Sequence, residues 1–545
     1  MQIGQGVLAT VRTTRRPANP GLTGKQIGQV IEDNPRRYFN EERVMSTPFD
    51  TTGVTRGPDG IKRYDGLPGS LVHMLRDTVE GHPDREALAE TGGGPRLTYR
   101  ELWDRAARVA GGLRAAGLQR GDRVALRLGN GVDWVLGFFG AVLAGATVVP
   151  VNTRLTEDEV AYVVTDSGAS YVIAPGDPLP DGPPLAVDDA GPDDPAAIFY
   201  TSGTTGFPKG AVTTHANFLS NCENCWRIRN TRDDEEPPRT LISVPLFHVT
   251  GCNSQLLLAV YRAGTSVIMP QFDPGTFLRA IETERIDVLT TVPAIYWLAI
   301  SQPDFTATDV SAVRFLSYGG APIAPELVGR IMKAFPGARV GNGFGLTETS
   351  SVATYLPHEY AAEHADSVGF PVPVCDVRIE TAGGENVGEL LVRGPNIVPG
   401  YWNKPDATAA AFTGGWLHTG DLARIDPEGL VYIVDRAKDM INRGGENVYC
   451  VEVENALAGA PGMYEAAVVG VPDEMMGEKV GAVLVPIPGT TIDTAAVLGY
   501  LAERIADFKV PQYLVIRPDP LPRNPGGKLL KRRIRNETQW GSPVR

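Results

Sequence analysis

Residues 200–210 read YTSGTTGFPKG and combine four small hydroxyl side chains, three glycines and one lysine. These residue types suit a phosphate group, because glycines let the backbone approach closely, amides and hydroxyls donate hydrogen bonds, and Lys209 supplies positive charge. A Walker A loop needs four residues between its glycines and a Ser or Thr after Gly-Lys. Here two residues separate Gly203 from Gly206, and Lys209 is followed by Gly210. The stretch alone disfavours an ordinary P-loop kinase or GTPase, and leaves open another kind of phosphate loop or a flexible linker.

The flanking segments favour the phosphate-binding interpretation. Residues 196–200 (AAIFY) predict a buried strand that ends where the glycine-rich stretch begins. After the stretch, Thr214 can cap a helix in which Phe218, Cys222 and Trp226 share one face. The glycine-rich stretch therefore leaves the end of a buried strand, where a phosphate loop is expected.

Together with motifs further along the chain, this stretch resembles the signature of the adenylate-forming superfamily, which contains acyl-CoA synthetases, peptide-synthetase adenylation domains and luciferases. The resemblance covers about Leu67 to the C terminus, and the further motifs follow in the family's order: PLFHVTG (245–251), SYGGAP (317–322), GNGFGLTET (341–349), WLHTGD (416–421), DRAKDMINRGGENVYCVEVE (435–454) and LPRNPGGK (521–528). The resemblance implies an acid–CoA ligase that uses ATP, Mg²⁺ and coenzyme A. A substrate carboxylate would attack the α-phosphate of ATP and release pyrophosphate, and the CoA thiol would then displace AMP from the acyl-adenylate.

The resemblance also implies a nucleotide site. Phe344 would stack on adenine, Thr347 would bond a phosphate, and Glu348 would hold Mg²⁺, a hard cation that prefers carboxylate and phosphate oxygens. Asp421 would bind the ribose hydroxyls. The residues expected to bind ATP are Thr201, Ser202, Gly203, Thr204, Thr205, Gly206, Lys209, Gly320, Ala321, Pro322, Asn342, Gly343, Phe344, Gly345, Thr347, Asp421, Arg436 and Lys528.

Four residues are implied to act in catalysis: Lys528, His248, Thr347 and Glu348. Lys528 would bridge the attacking carboxylate and the α-phosphate. Asp435 would be the hinge about which the C-terminal domain rotates between the two steps. The residues implied to bind CoA are Lys438, Gly444, Gly445 and Glu446. The tail KLLKRRIR (528–535) is interpreted as a solvated basic segment, with a contact to the CoA 3′-phosphate as the alternative.

The acyl pocket is predicted from the same resemblance. Its expected residues are His248, Asn253, Tyr296, Gly319, Gly320 and Leu346, with Trp297 beside them. Amino-acid-activating relatives place an aspartate where this chain has Phe247-His248, so an amino-acid substrate is not expected. Aromatic residues and glycines favour an aryl or medium-chain acid.

Three other functions stay open at this stage. A stand-alone adenylating enzyme could load a carrier-protein thiol, since the GGEN segment suits either pantetheine-bearing acceptor. ATP-driven activation could serve a non-thiol acceptor or oxyanion. A nucleotide-binding protein without catalysis is the third alternative, and the presence of both Glu348 and Lys528 speaks against it.

These residues require elements that bring them together, and the sequence predicts an α/β fold. Residues 123–151 give a strand, a turn, a helix and a second strand, and residues 241–269 repeat this plan. Residues 286–300 open a further strand-to-helix unit. Such units predict parallel sheets covered by helices, with ligands at the carboxyl ends of the strands.

The predicted domain order is an N-terminal extension (1–66), a large adenylation domain (67–434) and a small mobile α+β domain (435–545). The extension has little apolar periodicity and is expected to wrap the surface or to be partly disordered. From Gly369 onward, short alternating strands predict a β-rich subdomain within the large domain.

Composition limits the partners and the compartment. The net charge of −13 argues against a nucleic-acid partner, and small molecules (the acid, ATP and CoA) are expected instead. Five cysteines fit a reducing cytosol, so Cys222 and Cys225 are expected in a core. We expect a cytoplasmic protein, because no secretory leader or membrane-spanning run is visible. A homodimer is among the assemblies that stay open.

Overall fold

The computed structural model describes residues 47–201, 208–230, 236–321, 323–381, 386–523 and 529–545. In chain order its strands are β1 (Val54–Arg56), β2 (Lys62–Tyr64), β3 (Glu86–Glu90), β4 (Arg96–Thr98), β5 (Arg123–Leu126), β6 (Thr147–Pro150), β7 (Tyr171–Ile173), β8 (Pro195–Thr201), β9 (Lys209–Thr214), β10 (Arg239–Ile242), β11 (Thr265–Ile268), β12 (Val288–Thr291), β13 (Phe315–Gly319), β14 (Arg339–Phe344), β15 (Thr354–Leu356), β16 (Phe370–Pro371), β17 (Asp376–Glu380), β18 (Gly388–Arg393), β19 (Phe412–Thr413), β20 (Trp416–Ile425), β21 (Val431–Arg436), β22 (Ile441–Arg443), β23 (Glu446–Val448), β24 (Met463–Asp473), β25 (Gly477–Pro486) and β26 (Tyr513–Ile516).

The helices of the described residues connect and cover these strands. The α-helices span Leu71–Gly81, Tyr99–Ala115, Val132–Leu143, Glu157–Ser167, His215–Arg227, Val249–Gly251, Leu257–Tyr261, Pro274–Thr283, Pro293–Ile300, Pro325–Ala334, His358–Ala361, Pro405–Ala411, Cys450–Ala458, Thr494–Ala502 and Lys531–Glu537. A π-helical segment, Cys252–Leu256, lies between two of them, and short 3₁₀ turns span Pro303–Ala307, Thr347–Thr349 and Asp507–Lys509. Among the described helices, none combines the length and apolar character that crossing a bilayer requires.

The first sheet has the order β7-β5-β6-β8-β9, in which β8 and β9 are antiparallel and the other neighbours are parallel. The predicted unit at 123–151 is confirmed, because the helix Val132–Leu143 connects the parallel strands β5 and β6. Every residue of that helix except Asp133 is buried. A helix that is apolar all round belongs inside a protein, and this one joins the largest core cluster.

The second sheet has nine strands in the order β16-β15-β14-β13-β12-β10-β11-β3-β4. Its central strands β14, β13, β12, β10, β11 and β3 are parallel neighbours, and the edges are antiparallel. The units predicted at 241–269 and 286–300 supply β10, β11 and β12, so both predictions are confirmed. Within residues 241–269, the helix that follows β10 begins at Val249.

The predicted β-rich subdomain is an antiparallel sheet in the order β17-β18-β20-β19, with β21 paired to β20. Its link to the nine-stranded sheet is a backbone hydrogen bond in which Val431 N–H donates to Gly369 O over 2.8 Å. The last two residues of β21 are Asp435 and Arg436, and the next sheet begins at Ile441. The domain boundary at this position stays a prediction.

The last sheet has the order β23-β22-β25-β24, with β26 parallel to β25. Neighbouring residues of β24 face opposite sides, so Val468 packs in one core and Val469 in another. The helix Cys450–Ala458 covers the first side with Leu457, and the helix Lys531–Glu537 covers the second with Ile534. This α+β arrangement is the one expected for residues after Asp435.

Part of the predicted N-terminal extension is ordered on the large domain. Residues 47–66 contain the hairpin β1–β2. Within it, Tyr64 Oη donates to Asn224 Oδ1 over 2.7 Å, and Arg56 forms an ion pair of 2.7 Å with Asp376. These contacts agree with a surface-wrapping segment over residues 47–66. Residues 1–46 lie outside the described part of the chain.

Candidate active site

Several predicted site residues lie where parallel strands of the nine-stranded sheet end. β10, β12, β13 and β14 are consecutive parallel neighbours, so their carboxyl ends meet at one edge. His248 follows β10, and Gly319 and Gly320 lie at the end of β13. Gly345–Glu348 follow β14. Ligands in open α/β sheets bind outside such an edge. The topology thus brings three of the predicted motifs to one place.

The glycine-rich stretch leaves the carboxyl end of β8, as predicted. β8 and β9 form an antiparallel pair in which Thr201 is opposite Lys209 and Tyr200 is opposite Gly210. A Cβ on Gly210 would lie 2.5 Å from Ile198 Cγ2, so this position has no room for a side chain. The helix His215–Arg227 begins at Thr214 with a capping box, and Phe218, Cys222 and Trp226 are buried on it. The cap and the helix face are both confirmed.

Glu348 lies in a 3₁₀ turn that follows β14, Thr347–Thr349. Its Oε1 accepts a hydrogen bond of 2.6 Å from Tyr401 Oη, and its main-chain oxygen accepts one of 2.9 Å from Val398 N–H. Within the described ranges, no residue donates to its other carboxylate oxygen, Oε2. A half-buried carboxylate with one oxygen fixed and one oxygen left to a ligand fits Mg²⁺.

Lys209 and Glu348 meet at Tyr401. The Lys209 ammonium lies 4.9 Å from the centroid of the Tyr401 ring, a cation–π distance, while the hydroxyl of the same ring holds Glu348. The loop lysine and the predicted metal ligand therefore contact the same side chain, that of Tyr401. The sequence motifs do not point to Tyr401, because its local sequence offers no more than the Gly-Tyr-Trp triplet at 400–402. The contacts that give this residue a role join residues far apart in the chain.

The backbone of the turn after Glu348 is strained, and side-chain hydrogen bonds hold it in place. Ser350 and Ser351 have φ angles of +53° and +120°, in the region that non-glycine residues rarely adopt. Asn253 Nδ2 donates to Ser350 O over 2.8 Å, and Asn396 Nδ2 donates to Thr349 O and Val352 O, each over 3.0 Å. Strain of this kind persists only where the surroundings hold it, so these buried amides fix the backbone next to Glu348.

His248 lies at the start of the helix that follows β10, half-buried against Phe247. Burial lowers the pKa of its imidazole to about 4, and the positive charge of Arg154 acts in the same direction. The ring is therefore neutral at physiological pH. A neutral ring at the sheet edge can contact an acyl group without forming an ion pair with a substrate carboxylate.

Two predicted acyl-pocket residues are placed differently from the prediction. Tyr296 is fully buried in a core cluster, and its hydroxyl donates to Ser317 O over 2.8 Å. Asn253 is also fully buried and supports the Ser350 turn. Neither side chain has surface open to a ligand in this arrangement, because Tyr296 lies on the buried face of its helix and Asn253 lies in a segment that is buried throughout. Trp297, next to Tyr296, instead contacts Tyr464 of β24 with ring centroids 5.4 Å apart.

The remaining pocket and nucleotide residues lie at or near the surface of the sheet edge. Gly320 has a φ of +74°, and a Cβ on Gly319 would overlap Gly343 O, so β13 needs glycine where it ends. Ala321 is exposed, and Gly343, Phe344, Leu346 and Thr347 are partly exposed. Asn342 is buried, and its Nδ2 donates to Ser367 O over 2.9 Å, so it acts as a structural residue at this edge.

Asp421 and Arg436 lie together in the third sheet. They are cross-strand partners on β20 and β21, and Arg436 Nε lies 2.8 Å from Asp421 Oδ1. Asp421 is 3% exposed, whereas the Arg436 side chain is partly exposed. A carboxylate held by a guanidinium can still accept hydrogen bonds from ribose hydroxyls, which is compatible with the predicted role.

Asp435, the predicted hinge, is bonded to the segment that follows it. Its carboxylate accepts from Arg436 N–H over 2.7 Å and from Cys450 N–H at the start of the helix Cys450–Ala458. Burial raises the pKa of the Asp435 carboxyl, while the charge of Lys531 and the two N–H donors act in the opposite direction. The hinge carboxylate thus anchors the small α+β segment to the end of β21.

The predicted CoA-binding residues are at the surface. Lys438, Gly444, Gly445 and Glu446 are all exposed. Gly444 and Gly445 have φ angles of +61° and +94° and form the turn between β22 and β23. Gly444 N–H donates to Met476 O over 2.7 Å, which joins this turn to the β24–β25 hairpin.

The basic tail is not solvated throughout, so that interpretation is wrong for two of its residues. Lys531 forms an ion pair of 2.8 Å with Glu454, and both side chains are largely buried. Ile534 is 3% exposed. Ile534 packs the helix Lys531–Glu537 against β24, and a count of basic residues alone does not reveal that contact.

Some predicted site residues lie outside the described residues. They are Ser202, Gly203, Thr204, Thr205, Gly206, Pro322 and Lys528. Their roles stay predictions. The five cysteines, Cys222 and Cys225 among them, are free and buried, as expected for core residues.

Comparison with known proteins finds matching family models and relatives. A family model described as "AMP-binding enzyme" matches residues 75–189 and 175–402, and one described as "AMP-binding enzyme C-terminal domain" matches residues 452–528. Feruloyl-CoA synthase from Amycolatopsis sp is 40% identical over 474 residues, covering 82% of this chain and 95% of that protein. Long-chain-fatty-acid–CoA ligase FadD13 from Mycobacterium tuberculosis is 37% identical over 498 residues, covering 85% of this chain and 97% of that protein.

Solved structures show the same fold. O-succinylbenzoate coenzyme A synthetase from Bacillus subtilis, solved with ATP and a magnesium ion, superposes with a TM-score of 0.78 at 29% identity. The match covers 85% of this chain and 99% of that one.

Proposed function

This chain belongs to the AMP-binding enzyme family, and from that premise we propose that it is an ATP-dependent carboxylic acid–CoA ligase. The acid attacks the α-phosphate of ATP, the bond between the α- and β-phosphates breaks, and pyrophosphate leaves. The thiol of coenzyme A then attacks the acyl carbon of the acyl-adenylate, and AMP leaves. We further propose that the acid is an aryl or medium-chain acid.

One observation carries the proposal. The lysine of the glycine-rich loop and the carboxylate of the Thr-Glu turn are held by the same tyrosine, at the edge where the parallel strands end. A polyphosphate carries negative charge on several phosphate groups. A lysine and a metal-binding carboxylate held close together can neutralise that charge at more than one of them. Phosphoryl chemistry of this kind depends mainly on positioning and electrostatic stabilisation.

In the first step the chain's own residues bind and orient. Lys209 supplies positive charge beside the loop, and Glu348 offers Oε2 to Mg²⁺. When bound, the metal supplies neutralisation of phosphate charge. The Asp421–Arg436 pair is the proposed ribose contact, and Lys528 the proposed bridge between the attacking carboxylate and the α-phosphate.

Neutral His248 suits the position between nucleotide and acyl group. A charged imidazole there would pair with the substrate carboxylate and hold it away from phosphorus. Burial keeps the ring uncharged, with a pKa of about 4, so the carboxylate stays nucleophilic. The absence of an acid at Phe247-His248 leaves no partner for a substrate amine.

The second step needs a thiol acceptor. Gly444 and Gly445 form an exposed turn with no side chain, which suits close passage of a pantetheine arm. That arm belongs either to free CoA or to a carrier protein. Free CoA is proposed because the relatives at 40% and 37% identity are named as CoA synthase and CoA ligase.

The acid class rests on the pocket residues that stay at the sheet edge. His248 presents part of an aromatic ring at the sheet edge, and Gly320 leaves open space at the end of β13. An aromatic wall with a glycine floor suits a flat ring. The similarity to a feruloyl-CoA synthase supports an aryl acid over a long alkyl chain.

The test is a pyrophosphate-release screen over carboxylic acids, with free CoA, with a holo-carrier protein and without any acceptor. We expect aryl or medium-chain acids to give pyrophosphate without an acceptor, and AMP and acyl-CoA on addition of CoA. Release of AMP only with the holo-carrier would replace the CoA assignment by carrier loading. Pyrophosphate release with no acid at all would contradict the proposed function.

A further inference from the structure

Tyr401 contacts two charged residues that the proposed reaction uses. Its hydroxyl donates to Glu348 Oε1 over 2.6 Å, and the Lys209 ammonium lies 4.9 Å from its ring centroid. The two contacts use different parts of one side chain, the hydroxyl and the face of the ring.

The backbone around Tyr401 is paired to the strand that follows the glycine-rich loop. Tyr401 forms an isolated antiparallel bridge with Ala211. On either side of the bridge, Trp402 N–H donates to Gly210 O over 2.7 Å and Val212 N–H donates to Gly400 O over 3.0 Å. The position of Tyr401 relative to Lys209 is thus set by main-chain hydrogen bonds.

The same segment is tied to Glu348 and to the helix after the loop. Val398 N–H donates to Glu348 O over 2.9 Å. Asn217 Nδ2, at the start of the helix His215–Arg227, donates to Pro395 O and Ile397 O over 2.7 and 3.0 Å. Residues 395–402 therefore connect three elements that come from separate parts of the chain.

We propose that Tyr401 is a positioning residue for the metal site of the adenylation step. Its hydroxyl occupies Oε1 and would leave Oε2 as the oxygen that holds the metal, while the face of its ring locates the Lys209 ammonium. This inference rests on the proposed function, since it takes Glu348 as the Mg²⁺ ligand. Hydrogen bonds to the second oxygen of a ligating carboxylate orient it and tune its affinity for the metal.

The direct test measures metal binding in the absence of turnover. Mn²⁺ shares the preference of Mg²⁺ for oxygen ligands. It is titrated into the full-length protein saturated with α,β-methylene-ATP, and free Mn²⁺ is read by electron paramagnetic resonance. We expect Tyr401→Phe, which keeps the ring and removes the hydroxyl, to weaken Mn²⁺ binding about tenfold. Affinity equal to that of the parent protein would overturn the proposal.

Tyr261→Phe is the matched control. Tyr261 is also partly buried, and its hydroxyl donates to Glu223 Oε2 over 2.8 Å, away from the strand ends of the candidate site. It loses the same kind of Tyr–Glu hydrogen bond, so a general loss of stability would affect both variants. We expect parent-like Mn²⁺ affinity from Tyr261→Phe. An equal weakening in the two variants would overturn the specific role of Tyr401.

A second variant separates the ring from the hydroxyl. Tyr401→Leu removes the surface on which Lys209 lies, and we expect it to weaken ATP binding measured in EDTA, whereas Tyr401→Phe should keep metal-free ATP affinity. A parent-like ATP affinity in Tyr401→Leu would contradict the role of the ring. Thermal midpoints of both variants, measured in parallel, identify a folding defect, and Tyr401→Phe carries the conclusion if Leu is unstable.

Glu348→Gln distinguishes this inference from the proposed function. Weak Mn²⁺ binding in Glu348→Gln together with parent-like binding in Tyr401→Phe would overturn only the role of Tyr401. Parent-like Mn²⁺ binding in Glu348→Gln would overturn the metal assignment and with it this inference. Failure of every acid in the pyrophosphate screen would contradict the proposed function and leave a tenfold effect of Tyr401→Phe on binding in place.

Discussion

Buried histidines illustrate how single residues make this protein sensitive to acid. Burial lowers the pKa of His215 to about 4, against opposition from the negative charge of Asp194, and the charge of His73 lowers it further. His215 Nδ1 accepts a hydrogen bond of 3.2 Å from Leu71 N–H, which only a ring with an unprotonated Nδ1 can do. The folded state therefore holds this ring neutral.

The sign of the resulting pH dependence follows from proton binding. Below pH 6.5, the ordinary pKa of histidine, the unfolded state binds a proton on this ring. The folded state binds that proton only near pH 4. Stability is complete above pH 6.5 and falls as the pH decreases, with a slope of about 1.4 kcal/mol per pH unit for this group.

We expect His215→Gln to flatten the pH dependence of the free energy of unfolding between pH 6.5 and 4, because the substituted side chain does not titrate. The measurement is urea unfolding at several pH values. The exposed His82→Gln variant is the control and should keep the parent slope. An unchanged slope in His215→Gln would show that this histidine does not set the acid response.

Residue roles were only partly predictable from the sequence. Glu348 and Lys209 could be selected, because their motifs are contiguous and carry recognisable chemistry. Tyr401 could not, since its significance comes from contacts with residues 53 and 192 positions away in the chain. The resemblance implies that Tyr296 and Asn253 line the acyl pocket, whereas both side chains are fully buried in the structure.

At the scale of elements, Gly343 and Gly345 of the motif GNGFGLTET have different surroundings. A Cβ on Gly345 would overlap Ser351 O, the carbonyl of the strained turn. A Cβ on Gly343 would lie 3.7 Å from Tyr355 Cδ2, which is an ordinary contact. The end of β14 therefore tolerates a methyl group at one glycine and excludes it at the other.

We expect Gly345→Ala to destabilise the protein by about 1–3 kcal/mol, because the turn after Glu348 must move away from the methyl group. Gly343→Ala should cost much less and is the matched control. Thermal unfolding of both variants, followed by calorimetry, makes the comparison. Equal midpoints for the two variants would contradict the account of this turn.

The Lys531–Glu454 pair gives a test of the tail helix. Lys531→Met leaves the Glu454 carboxylate largely buried without its cation, and we expect a loss of about 3 kcal/mol. Lys531→Met/Glu454→Gln removes both charges and should recover part of that loss, since Gln can still accept the hydrogen bond that Val468 N–H gives to Glu454. A double variant as unstable as the single one would contradict a coupled pair.

Elements were more predictable than residue contacts for a physical reason. Hydrophobic runs bounded by glycine, as in residues 123–151, specify a strand-helix-strand unit locally, and those units form the parallel sheets. The π-helical segment Cys252–Leu256 and the left-handed Ser350 and Ser351 are set by tertiary hydrogen bonds. No local pattern encodes such features, so they could not be predicted.

At the scale of the whole molecule, the two proposed half-reactions use different residues of the predicted small domain (435–545). Lys528 belongs to the predicted adenylation step, and Gly444–Gly445 to the predicted thiol step. We expect Lys528→Ala to abolish acyl-adenylate formation, yet largely to spare thioester formation from a supplied acyl-adenylate and CoA. Rapid-quench assays of each half-reaction provide the measurement. Equal loss in both would refute the assignment of Lys528 to the first step.

In the proposed reaction, an oxygen of the acid becomes bonded to the α-phosphorus of ATP. An acid that is active in the pyrophosphate screen, labelled with ¹⁸O in both carboxylate oxygens, is converted with ATP and CoA, and the products are analysed by mass spectrometry. AMP carrying one ¹⁸O atom is the predicted result. Unlabelled AMP, or ADP with labelled phosphate, would contradict it.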